Sequence, residues 1–93
     1  MVAESGINIA VEGVTDERVI RKILEHLSLA CGLVRGRKGK NHLLREIGKY
    51  NQAAQFSRWL VVIDLDHEAC AVTYRNTILP EPSDNMLLRI AVR

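Results

Sequence analysis

Trp59-Leu60-Val61-Val62-Ile63-Asp64-Leu65-Asp66 is the stretch that decides the fold. Five consecutive apolar residues, rich in β-branched types, run straight into an aspartate. That pattern predicts a strand covered on both faces, with carboxylates at its carboxyl end. The pattern has an earlier counterpart. Ile7 to Val11 is apolar except for Asn8, and it runs into Glu12-Gly13 with Asp16 shortly after. Carboxylates at the ends of parallel strands stand where open α/β sheets keep their chemistry.

The segments around these two strands complete an alternating order. Gly13 supplies a turn, and Thr15 or Asp16 is placed to cap a helix whose Val19, Ile20, Ile23, Leu24 and Leu27 form one apolar stripe. A short strand is expected from Leu29 to Val34, then a glycine-bearing basic loop over 36–41. A second helix from about His42 to Gln55 carries Leu43, Leu44, Ile47, Tyr50 and Ala54 at three-and-four spacing. After the central strand come a helix from about His67 to Leu79, a stiff Pro80-Glu81-Pro82-Ser83 loop, and a fourth strand from Met86 to Val92. The order β-α-β-α-β-α-β predicts a small three-layer α/β/α, Rossmann-like domain with a four-stranded, mainly parallel sheet and right-handed crossovers.

A chain of 93 residues makes one domain, spanning 1–93. Its 47% hydrophobic and 26% charged residues suit a globular domain rather than a disordered one. Apolar runs fall far short of the ~20 residues that span a bilayer, and the N-terminus lacks a signal-peptide pattern, so a cytoplasmic location without membrane contact is expected. Cys31 and Cys70 give no disulfide framework and are read as small core residues. The sequence stops at Arg93, flush with the last strand, which leads us to expect a short or truncated member of a longer protein, working beside another domain or subunit.

Asp64 and Asp66 are expected to point the same way, with Leu65 pointing oppositely, if the strand geometry persists that far. Together they can hold magnesium, which favours a few carboxylates plus waters and substrate phosphates, and manganese would serve similarly. Glu12 joins them if the first and third strands are neighbours. The chemistry that suits such a cluster is phosphoryl transfer, with metal on Asp64 and Asp66 and a proton moved by Glu12. Asp16 and Glu68 are candidate supporting acids, with helix capping and dipole pairing as their other readings. For all of these acids, solvated polar strand ends are the plainer alternative.

Val11-Glu12-Gly13-Val14-Thr15-Asp16-Glu17, the strand ending in Asp64-Leu65-Asp66 and the downstream Leu87-Leu88-Arg89-Ile90-Ala91-Val92-Arg93 resemble the topoisomerase/primase, or Toprim, domain. They look most like its stand-alone bacterial and archaeal forms. The likeness covers nearly the whole chain. It implies a compact α/β/α fold, Glu12 as general acid or base, Asp64 and Asp66 as magnesium ligands, and action on nucleic-acid phosphodiesters. Two departures argue against primase or topoisomerase activity. His67 and Glu68 follow the second aspartate where primase-type members carry small residues, and neither Tyr50 nor Tyr74 has the setting of a covalent DNA nucleophile.

The loop Arg35-Gly36-Arg37-Lys38-Gly39-Lys40 invites a phosphate contact through backbone amides and cations. It is not a Walker A motif, because Val34 stands where the first glycine is required and Asn41 replaces Ser or Thr. Arg35, Arg37, Lys38 and Lys40 are therefore read as a nucleic-acid backbone contact, with a solvated loop as the alternative. A zinc site through His26, Cys31, His67 and Cys70 lacks ligand spacing. Two functions remain: a magnesium-dependent nuclease-like enzyme, and a non-catalytic module that binds nucleic acid or a protein partner with the same surface.

Overall fold

The computed structural model describes residues 6–65 and 70–91. Strands β1 (Ile7–Val11), β2 (Cys31–Gly36), β3 (Trp59–Asp64) and β4 (Met86–Ala91) alternate with helices α1 (Val14–His26), α2 (Lys40–Ala53) and α3 (Ala71–Ile78). All pairings are parallel, and the strands lie in the order β2-β1-β3-β4. The chain steps one way from β1 to β2, then back across β1 to β3 and on to β4. Right-handed crossovers therefore lay α1 on one face of the sheet and α2 with α3 on the other.

The core divides accordingly. Leu43, Ile47, Tyr50 and Ala54 of the α2 segment pack on Ala10, Trp59, Val61, Ile63, Met86 and Leu88, with Tyr74 and Ile78 of α3 alongside. On the other face Ile20 and Leu24 of α1 pack on Ile9 and Val11, flanked by Leu60 and Val62. Only part of the expected α1 stripe is covered: Val19, Ile23 and Leu27 are exposed. The reason is geometric. One helix covers β1 and β2, leaving the β3–β4 half of that face as an apolar groove of about 620 Å³ between Ile23 and Leu27 on one wall and Leu60, Val62 and Leu87 on the other.

Several boundaries differ from the sequence expectation, each for a hydrogen-bonding reason. The α1 cap is Gly13, whose carbonyl accepts from Glu17 N at 3.1 Å, so neither Thr15 nor Asp16 caps and Asp16 lies within the first turn. Strand β2 starts at Cys31 rather than Leu29 because Leu29 N still donates to Leu24 O at 2.8 Å, closing the end of α1. Helix α2 starts at Lys40 rather than His42, since Gly39 O takes the first helical bond, from Leu43 N at 3.2 Å. Of the cysteines, Cys31 is half-buried and Cys70 is exposed at the start of α3, so Cys70 is not a core residue.

Asn8, the polar member of β1, has a specific task. The β1–β2 register shifts between Ile7 and Ile9, and the Leu33 amide left over by that irregularity donates to Asn8 Oδ1 at 2.8 Å. The Asn8 amide in turn donates to Ser57 Oγ at 3.2 Å, tying the shift to the start of β3.

Candidate active site at the β1–β3 crevice

β1 and β3 are neighbours, and their connections leave in opposite directions. The strand order thus reverses between them, which opens a crevice at their carboxyl ends. Glu12 and Asp64 both stand there. Glu12, the first residue past β1, accepts a hydrogen bond on Oε2 from Asp64 N at 2.6 Å. In-register pairing of Asn8 with Trp59 and Ala10 with Val61 carries the two strand ends to the same level, which is what makes this bond possible. Asp16 reaches the same end from the first turn of α1, its carboxylate folded back towards Gly13.

A cation enters from the other side. Lys40 Nζ donates to the Asp64 carbonyl oxygen at 2.5 Å and lies 5.5 Å from the centroid of the Tyr74 ring. Gly36 delivers it. With φ at +87°, Gly36 turns the chain off the β2 edge, and a Cβ there would run into the Val11 carbonyl oxygen. The loop then crosses the end of β1, with Arg37 N donating to Val11 O at 2.8 Å and Gly39 N to Glu12 O at 2.9 Å. These bonds set the first turn of α2 over the crevice.

Of the sequence-predicted acids, the structure brings Glu12 onto the backbone amide of Asp64, while Asp16 stands in the first turn of α1 beside Gly13. Asp66 and Glu68 lie outside the described residues, as does His67. Among the described residues no three His, Cys, Asp or Glu side chains converge on a common point. Glu12 and Asp64, whose contact runs from the Asp64 backbone amide to the Glu12 carboxylate, carry the hard oxygens that magnesium takes.

The predicted basic loop is divided. Lys40 goes to the crevice. Arg37 turns to α1, where its Nη1 lies 3.3 Å from Glu17 Oε1. Glu17 also holds Arg21 at 2.8 Å, and these contacts, with the Arg21 hydrogen bond the largest, hold its carboxyl below the usual carboxylate range against an opposing desolvation effect. Arg35 and Lys38 instead line a concavity of about 420 Å³ between β2 and α2, shared with Arg37, His42, Glu46, Lys49 and Tyr50. Sequence reading missed His42 and Lys49. Their signal was helical spacing: 42, 46, 49 and 50 fall on one stripe of α2 that faces the β2 edge. The Tyr50 ring stacks on Trp59 with centroids 5.1 Å apart, and burial, then Glu46, push its phenol pKa up against the pull of Arg35 and Lys49. Trp59 is a buried packing residue, and its indole N–H has no hydrogen-bond partner among the described residues.

Fold and crevice together define a parallel α/β domain with an acidic site at its topological switch point. Comparison with known proteins adds no narrower class: no family model, curated protein or solved structure matches the chain. No helix among the described residues is long and apolar enough to cross a membrane.

Proposed function

We propose that the domain acts on nucleic-acid phosphodiester bonds with magnesium, or manganese, in the manner of a Toprim nuclease. The observation that carries this reading is the meeting of Glu12 and Asp64 at the β1–β3 switch point, with Glu12 Oε2 2.6 Å from Asp64 N. Asp64 and Asp66 would hold the ion. Bound there, it would neutralise phosphate charge and polarise the scissile bond. Glu12 keeps one oxygen on the Asp64 amide, which fixes its carboxylate at the crevice, where it would take or give a proton at the attacking or leaving oxygen. Lys40 draws the Asp64 backbone into position and places a positive charge beside the bond to be broken. Arg35 and Lys38 would contact the nucleic-acid backbone.

One observation favours a second reading, a non-catalytic Toprim-like module. Glu12 and Lys40 each bond the Asp64 backbone, so both have a structural role that needs no chemistry. Calorimetric titration of magnesium and manganese into the parent protein and into an Asp64→Asn, Asp66→Asn variant separates the two. Enzyme function requires binding that the variant loses, together with metal-dependent cleavage of an oligonucleotide. A parent that takes up neither metal at millimolar concentration is the non-catalytic module.

A further inference from the structure

We propose that the concavity between β2 and α2 is a nucleotide-phosphate site, separate from the acidic crevice. Its lining carries four permanent cations, Arg35, Arg37, Lys38 and Lys49, with His42, against the single carboxylate of Glu46. Such an imbalance in a concave wall selects an anion. Arginine and lysine arriving from a strand, a loop and a helix present separate donors around one point, which suits the several oxygens of a phosphoryl group better than a carboxylate. Three of the cations already have protein partners, Arg35 with the Val34 carbonyl oxygen at 3.3 Å, Arg37 with Glu17, and Lys49 with Glu46 at 3.2 Å. In both ion pairs the cation is the solvent-facing member, Arg37 at 47% and Lys49 at 75% exposure, so an incoming phosphate can compete for it.

Size points the same way. At about 420 Å³ the concavity exceeds the needs of a bare ion and falls within the range of sites for small organic ligands. A phosphoryl group with its sugar fits that space. Tyr50, stacked on Trp59 and buried, forms part of the lining, so the wall there is fixed before a ligand arrives.

Position gives the site a role that rests on the phosphodiester reading above. Arg35 pairs in register with Ala10, and Gly36 with Val11, so the concavity flanks β1 on the side opposite β3. Two strand spacings, about 10 Å, separate the β2 and β3 ends. That distance corresponds to about three steps of duplex rise. A strand lying across the carboxyl ends would thus set one phosphate at the metal held by Asp64 and another, a few nucleotides along, on Arg35 and Lys38. A free mononucleotide offers the same phosphoryl chemistry and is the other source of ligand.

The test is binding in the presence of chelator, where the acidic crevice takes no metal. Probes are adenosine monophosphate and labelled single-stranded and duplex oligonucleotides, titrated into the parent and an Arg35→Gln, Lys38→Gln variant, both exposed positions. Oligonucleotide affinity in the variant should fall about tenfold, and the slope of log affinity against log salt should flatten by about 1.5. Amide resonances of Arg35, Lys38, His42 and Lys49 should move in the parent. Shifts with the mononucleotide identify a free nucleotide as ligand, and shifts with oligonucleotides alone identify a strand; either supports the site. An unchanged salt slope in the variant, or no shift at these amides with any probe, overturns it. Cleavage with magnesium is scored separately: binding in chelator by a parent that never cleaves keeps this site and removes the enzyme reading, whereas cleavage with an unchanged variant affinity does the reverse.

Discussion

Glu12 can be tested as a structural residue and as a chemical one with two substitutions. Glu12→Ala leaves the Asp64 amide without its side-chain acceptor, at a cost of about 1–3 kcal/mol. For a domain of this size that lowers the melting temperature by roughly 5–15 °C. Glu12→Gln keeps an amide oxygen for the same bond, so its melting temperature should stay within a few degrees of the parent while any cleavage disappears. Equal melting temperatures for the Ala and Gln variants would show that the Glu12–Asp64 bond contributes nothing to the fold. Gly36 is the other decisive residue. Gly36→Ala meets both a positive φ and the Val11 carbonyl, and should cost roughly 2 kcal/mol or more in denaturant unfolding. A variant as stable as the parent would mean that the turn can relocate. The value of Gly36 was not visible in sequence, where it reads as one glycine of a basic loop.

At the scale of elements, the tie between α1 and the loop leading to α2 runs through Glu17 and Arg37. The folded state holds the Glu17 carboxyl below its ordinary 4.5, chiefly through the Arg21 hydrogen bond. A depressed carboxyl stabilises the fold above its unfolded pKa and ceases to do so as pH falls through the folded one. Stability measured from neutral pH downward should therefore decline below about pH 4.5, and the decline should be shallower in Glu17→Gln. Identical pH profiles for parent and variant would remove this pair from the account. Element types were legible because apolar periodicity is local: Ile7–Val11 is observed with the expected bounds, and Trp59 to Ile63 lies within β3. Element starts were less so. Whether Lys40 is loop or helix depends on which carbonyl takes the amide of Leu43, and no side chain announces that choice. The two-residue shift moved Lys40 from a phosphate-binding loop to the acidic crevice.

For the whole molecule, the strand order β2-β1-β3-β4 joins the two acidic strand ends, and this order is where sequence reading stopped. The pairing of β1 with β3 depends on two crossovers rather than on any adjacent residues, so the meeting of Glu12 with Asp64 was stated only as a condition. The half-covered α1 face follows from the same topology, since one helix serves four strands there. Leu27 and Leu87, exposed on opposite walls of the apolar groove, should accept lysine with little loss of stability, and Leu27→Lys with Leu87→Lys should bind less of a hydrophobic fluorescent dye. Undiminished dye binding would place the accessible apolar surface elsewhere. Strand order also governs how the chain is made. β1 leaves the ribosome first yet occupies the interior of the sheet, and its partner residues Trp59 to Val61 come some fifty positions later. During synthesis the apolar edge of β1 that pairs with β3 must wait, unpaired, until that later segment emerges. The crevice thus assembles late on the folding route, through a long-range closure that slows folding, and the same closure that creates the site sets the interval in which the nascent chain is most open to mispairing.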